Sequence, residues 1–218
     1  MGRGLIIDNI HTYTDWGLIL TAQEMEPPKV KTKYIDKPLG DGSIDLTEAI
    51  IGDVAYEDRE GTFKFDLLVP PENRAGLVSA MSSYIHGRMR KIILPDDPDH
   101  YYYGRMALNS FVGQGLIGKL EIEIVCDPYK YKLDPTVKSG SIGTSGSVTV
   151  ICSNSRQRVI PEITVSAAVT IVFNGNSYSI SPGTWRLTNI IFVEGQNELT
   201  ITGVAGTTYS IEYQEGAI

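Results

Sequence analysis

The chain has 218 residues, 42% of them hydrophobic, enough for one large β domain or two small ones with real cores. Its 26 acidic residues against 19 basic give a formal net charge of −7, which argues against a nucleic-acid binder, because such proteins neutralise phosphates with a positive surface. No stretch approaches the roughly 18 apolar residues of a membrane span, and the apolar run in MGRGLIIDNI is too short for a secretory signal. No membrane insertion is expected, and the chain should stay in the cytoplasm where it is made unless a larger assembly carries it out.

Residues 4–22 read as an opening pair of strands. The next segment, 23–42, carries Pro27-Pro28, then lysines in alternation, then Pro38 and the turn Gly40-Asp41-Gly42. Lys29, Lys31 and Lys33 project from one side of an extended stretch, which is how an edge strand or a protruding arm avoids wrong pairing. Two readings stand: an ordinary solvated edge strand, or an arm that crosses onto a neighbouring subunit. The run LGDGSIDLT at 39–47 is a glycine turn feeding a strand.

Strict alternation follows. Phe63, Phe65 and Leu67 share one face of 62–67, opposite Thr62, Lys64 and Asp66. Leu120, Ile122 and Ile124 do the same over 119–124, and Tyr209, Ile211 and Tyr213 over 208–214. Each pattern is that of a half-buried strand with one wet face. Between them, 72–84 places Leu77, Ala80, Met81 and Tyr84 at helical spacing, with Pro70-Pro71 at the start and Gly87 at the end. One amphipathic helix covering a sheet is predicted. Gly76 weakens it by about 1 kcal/mol relative to alanine, so packing must hold it.

The densest basic patch is His86-Gly-Arg88-Met-Arg90-Lys91. Arginine pairs bidentately with carboxylates, so Arg88, Arg90 and Lys91 are candidates to meet acids of another subunit, such as Glu57, Asp58 and Glu60. Asp96, Asp97 and Asp99 around Pro95 and Pro98 lack the spacing of a calcium loop and read as a solvated turn. In the run Tyr101-Tyr102-Tyr103, Tyr102 faces opposite its neighbours, so at least one tyrosine is in the core and at least one is partly exposed. Tyr102 is a further candidate interface residue. Gly113-Gln-Gly115-Leu-Ile-Gly118 matches a nucleotide-binding spacing, but a strand follows where a helix is needed, so it reads as a loop between antiparallel strands. His11, His86 and His100 are scattered, and no serine or cysteine sits in a nucleophile motif. No enzyme, catalytic residue, cofactor or bound metal is expected.

Near residue 130 the composition shifts from charge-rich to Ser, Thr, Gly, Val and Ile, which places a boundary at 131–139. Beyond it, Asn174-Gly175 signals a tight hairpin, and frequent turns imply a small β-sandwich or jelly roll. Trp185 is in phase with Leu187 and is expected in the core rather than on a sugar-stacking platform. Cys126 and Cys152 are expected as buried free thiols, with a disulfide as the alternative.

Taken together, the opening strands, LGDGSIDLT, the strand 61–69 leading into a helix, His86-Gly87, DDPDHYYYGRM and the closing strand 119–126 resemble the distal tail proteins of long-tailed, siphovirus-type bacteriophages. That resemblance implies a mainly β chain. An N-terminal β-sandwich over 1–131, with one helix and a projecting hairpin arm near 23–42, would precede a C-terminal galectin-like β-sandwich (jelly roll) over 132–218. It implies a structural protein of the virion tail tip, assembled in the host cytoplasm. Six copies form a ring that joins the tail tube protein to the tail-associated lysin or fibre hub. The tape-measure protein and then DNA pass through the lumen without specific binding. In some members the second domain holds receptor-binding proteins or binds saccharide; here it is short and has no visible insertion. The alternatives are a carbohydrate-binding module for host-surface adsorption and another protein related to the tail tube.

Overall fold

The structure, a computed structural model, describes residues 4–113 and 115–218. The chain divides into two compact units: one runs to Lys130 and takes in Ile218, and the other is Tyr131–Ala217.

The first unit contains β1 (Ile6–Ile7), β2 (Ile10–His11), α1 (Thr12–Trp16), β3 (Leu18–Met25), β4 (Tyr34–Asp36), β5 (Ser43–Asp45), β6 (Arg59–Leu67), α2 (Pro71–Ile85), β7 (Met89–Leu94), β8 (Asp97–Val112) and β9 (Gly118–Cys126). Its main sheet runs in the order β2-β1-β7-β8-β9-β6-β3. The strand β8 is long enough to serve both halves. Its first part pairs with β7, Ile92 opposite Tyr102, and its second part with β9, Val112 opposite Lys119. Inward residues from both halves fall in one buried cluster: Ile7, Ile92 and Tyr102 from one, Phe63, Phe65, Leu120 and Ile122 from the other. The sheet therefore folds over a shared core, as the alternation of β6 and β9 demands.

Helix α2 closes that core with Met81 and Ile85, while Leu77, Val78 and Tyr84 pack partly buried. Pro71 opens it, where a missing N–H does no harm. The expected apolar stripe is shifted: Ala80 is exposed, and the buried positions of the helix are Arg74, Met81 and Ile85. The opening strand pair needs correction. Its strands β1 and β2 are two residues each, and a second, short helix α1 interrupts 4–22. The cap explains why it is hard to foresee. His11 Nδ1 accepts from the Tyr13 and Thr14 amides at 3.2 and 3.3 Å, and histidine is not among the usual capping residues.

The strand β10 (Lys130–Lys132) opens the way to the second unit, which holds β11 (Thr136–Ser141), β12 (Ser147–Asn154), β13 (Glu162–Val165), β14 (Val169–Phe173), β15 (Asn176–Ile180), β16 (Gly183–Arg186), β17 (Gly195–Gly203), β18 (Thr208–Tyr213) and β19 (Gly216–Ala217). The eight strands β11–β18 form two four-stranded sheets, β11-β18-β13-β16 and β12-β17-β14-β15. Ile163 and Ile211 of one and Cys152, Ile171 and Leu199 of the other share a buried core, so the unit is a sandwich. Phe192 sits at its centre, edge-on to Tyr213 with ring centroids 5.0 Å apart. The β14–β15 hairpin turns on Asn174 and Gly175, both at positive φ (48° and 78°), as an Asn-Gly turn requires.

Candidate interface: a projecting hairpin and a pinned loop

The hairpin in the first unit begins where Pro27-Pro28 ends β3. Residues Gln23 to Met25, within the stretch expected as an arm, belong to β3 and pair with β6. Beyond them, the Lys31 amide donates to Ala55 O at 2.9 Å and the Glu57 amide to Lys29 O at 2.8 Å, closing the base. Strands β4 and β5 then pair with Ile35 opposite Ile44. The turn between them holds Leu39 and Gly42 at φ 59° and 74°. Thr47 clips the returning leg: its amide donates to Asp45 Oδ1 at 2.9 Å, and its hydroxyl accepts from the Lys33 amide at 3.2 Å. The Thr47 hydroxyl and amide hold the Asp45 carboxyl below its usual range.

Every residue from Lys29 to Asp45 is exposed. Ile35 and Ile44, 48% and 49% accessible, lie directly opposite on one face of a two-stranded sheet. Tyr34, Ile50 and Ile51 add further exposed apolar surface. An isolated hairpin is marginal in water, and contiguous exposed apolar surface marks an interaction site. Lys29, Lys31 and Lys33 stand on this arm, and among the described residues no carboxylate closes an ion pair with them.

The basic patch is divided by the fold. Arg90 turns inward: it lies over the Tyr84 ring at 4.0 Å, pairs with Asp8 at 3.0 Å and donates to the Tyr84 carbonyl. Lys91 is exposed but rests over Tyr101, 4.5 Å from the ring centroid. Arg88 remains exposed, as do Glu57, Asp58 and Glu60. Tyr102 is corrected from surface to core. It is 6% accessible, and its hydroxyl accepts from Arg59 Nη1 at 3.4 Å. It shares the inward phase of β8 with Gly104 and Met106, so the surface tyrosine is Tyr103. Asp97 is likewise not a solvated turn residue: it meets Lys130 Nζ at 2.6 Å and His100 Nδ1 at 2.7 Å. Burial alone would raise its pKa, but hydrogen bonds from Lys130 and His100 bring it below the usual value.

A feature that the sequence did not flag is Arg74. Its side chain is buried, at 2% accessibility, in the N-terminal half of α2. Nε donates to Val69 O at 2.8 Å, Nη1 to Gly113 O and Gly115 O at 2.9 Å each, and Nη2 to Leu116 O at 2.5 Å. The last three carbonyls belong to the glycine loop between β8 and β9, which is a loop between antiparallel strands as the alternation of 119–124 suggested; Gln114 within it lies outside the described residues. Leu116 on this loop is 93% accessible, and Leu68, Val112 and Ile117 beside it are about half accessible. The only sequence signal for this device is a charged residue in phase with Met81 and Ile85.

In the second unit Trp185 is corrected from core to surface. It sits 40% accessible on the edge strand β16, its Nε1 donating to Ser181 O at 2.9 Å. Both cysteines are buried and unpaired. Among the described residues no group of three His, Cys, Asp or Glu side chains is placed to hold a metal ion, and no helix is long and apolar enough to cross a membrane.

A mainly β chain of two units, the first bearing a projecting hairpin, is the class that this architecture defines. No family model matches the sequence, and no curated protein does. A solved structure with the same fold is the Dit protein (gp 19.1) of phage SPP1, described as a paradigm of the hub adsorption apparatus in phages that infect Gram-positive bacteria. The likeness covers 98% of this chain and 99% of that one, with a TM-score of 0.70 and 13% sequence identity. At that identity the two chains share a fold.

Proposed function

We propose that this protein is a structural adaptor of the phage tail tip: a homohexameric ring that joins the tail tube protein to the tail-associated lysin or fibre hub and lets DNA pass. The supporting observation is the end-to-end likeness of fold to the SPP1 hub protein, which takes in both units at once. A lone domain of common type would match many unrelated proteins, whereas a two-unit chain matched over its whole length shares an architecture. The exposed arm supports the ring. A closed ring needs two different patches on each subunit, and a hairpin that exposes Tyr34, Ile35 and Ile44 is suited to be one of them. The net charge of −7 suits a lumen through which DNA slides without sticking.

Light scattering and electron microscopy of the purified protein, alone and with its tail-tube partner, test this reading. Closed six-membered rings are expected. A monomer at high concentration in both conditions would sink the proposal, and open-ended tubes would favour a tube subunit instead. A second reading has one observation behind it: Trp185 lies on the surface, where a saccharide-binding platform would need it. Binding on an array of bacterial wall glycans, lost in Trp185→Ala, would establish it; silence would remove it.

A further inference from the structure

A cavity of about 650 Å3 opens in the first unit where the two ends of its main sheet meet. The terminal strand β2 contributes His11, and the other terminal strand, β3, contributes Leu20, Thr21 and Gln23. Ile6, Ile93 and Leu94 supply an apolar wall, and Asp96 stands exposed on the turn between β7 and β8. A volume of this order holds a small molecule or one long side chain. Another strand is not the occupant: β3 carries a bulge between Leu20 and Ala22, which blunts this edge against further pairing.

The polar groups of this cavity are acceptors in need of a donor. Gln23 Nε2 donates to Asp96 Oδ2 at 2.7 Å, which leaves Gln23 Oε1 buried with no hydrogen bond, a costly state for a carbonyl oxygen. Among the described residues no lysine, arginine or histidine pairs with Asp96. Thr21 is already committed, its hydroxyl donating to Lys64 O at 3.0 Å. We propose that the cavity binds an aliphatic ammonium group, with the Asp96 carboxylate and Gln23 Oε1 as its acceptors. An ammonium carries three N–H donors, enough for both oxygens, and its methylene stem lies along Ile6, Leu20 and Leu94. The carboxylate refuses an anion, and an uncharged apolar molecule leaves Gln23 Oε1 without a donor. The chain's net charge of −7 raises the local concentration of cations. A lysine side chain of a partner protein and a free alkyl diamine both present this group. The site stands independently of the ring reading.

Methyl-labelled isoleucine in the full chain reads the site by magnetic resonance at Ile6 and Ile93, which lie opposite each other in the β1–β7 pair. Pentylamine should shift both signals saturably, and pentanol, of the same length but uncharged, should not. Asp96→Asn should weaken pentylamine binding by about tenfold or more, and Gln23→Met, of similar shape, by about threefold. Thermal melting verifies that each variant is folded, and the comparison of amine with alcohol needs no variant. Cadaverine and Nα-acetyl-lysine methylamide separate the sources: tighter binding of the first assigns the site to a free diamine, tighter binding of the second to a partner's lysine, and equal binding to the ammonium alone. No saturable shift with any of the amines, pentanol binding as tightly as pentylamine, or unchanged affinity in Asp96→Asn would overturn the site.

Discussion

The guanidinium of Arg74 reaches across from α2 to donate to the carbonyl oxygen of Gly113 at 2.9 Å. With its contacts to Val69, Gly115 and Leu116, the side chain ties a helix to the far end of the sheet without any carboxylate in the arrangement. Removing it leaves several carbonyls short of donors, and each such loss costs about 1–3 kcal/mol where water cannot substitute. Arg74→Ala should therefore destabilise the first unit by about 2–4 kcal/mol in urea unfolding. Arg74→Lys should recover only part of that, because one ammonium cannot reproduce a planar fork. Equal stability of Arg74→Lys and wild type would show that the fork geometry is unimportant.

Two glycines of the first unit predict opposite outcomes. A Cβ at Gly104 would lie 2.4 Å from the Cα of Cys126 and from the carbonyl oxygen of Val125, both backbone atoms of the neighbouring strand. Gly104→Ala should force the strands apart and cost about 3 kcal/mol, at the upper end of overpacking effects. Gly76 sits within α2 with nothing inside 4 Å of its Cβ position. Gly76→Ala should stabilise by about 0.5–1 kcal/mol through helix propensity alone. Urea midpoints of the two variants, measured side by side, check both signs.

How far the sequence foretold this arrangement depends on how local the physics is. The strands β6, β9 and β18 were legible because each buries one face against a core, which writes a period of two into the chain. The Asn174-Gly175 turn was legible because positive φ favours those residues. Tyr102 and Tyr103 were not separable, because alternation says that neighbours face opposite ways but not which of them faces in. The phase of β8 is set by its pairing with β7 and β9, which is long-range. Trp185 was misplaced for a similar reason: alternation with Leu187 does not reveal that β16 is an edge strand. Arg74 was invisible because a buried arginine pairs here with loop carbonyls, which have no sequence signature.

Asp97 and Glu215 make stability depend on acid pH, one in each unit. Burial pushes both carboxyls upward, but their hydrogen bonds prevail and both lie below their ordinary values. For Asp97 the donors are Lys130 and His100; for Glu215 they are Thr136, Ser155 and Lys132. A lowered folded-state pKa contributes stability that is present above the unfolded value, about 4 for a carboxylate, and is lost as pH falls through the folded value. Asp97→Asn should cost the first unit about 1 kcal/mol at pH 7 and almost nothing near pH 2, and Glu215→Gln should do the same to the second. Urea unfolding across pH 2–7 reads this directly. A constant difference between variant and wild type at all pH values would mean that the lost interaction is not ionic.

The two thiols offer a test of packing in each unit. Burial pushes the Cys126 thiol up to about 12, against the pull of Arg59, and its Sγ donates to Arg59 O at 3.6 Å. Burial pushes Cys152 up to about 11, with Lys138 acting the other way. The thiolate is the reactive species, so both groups should be inert at pH 8 in the folded protein. An aromatic disulfide reagent should find no reactive thiol in the native chain and two after denaturant is added without reductant. Two thiols appearing together would mean that the units unfold as one, and two separated steps along a urea gradient would mean that each core melts independently. Rapid reaction of either cysteine under native conditions would contradict the packing described, because a thiol on a fully buried, protonated side chain has no route to the reagent short of local unfolding.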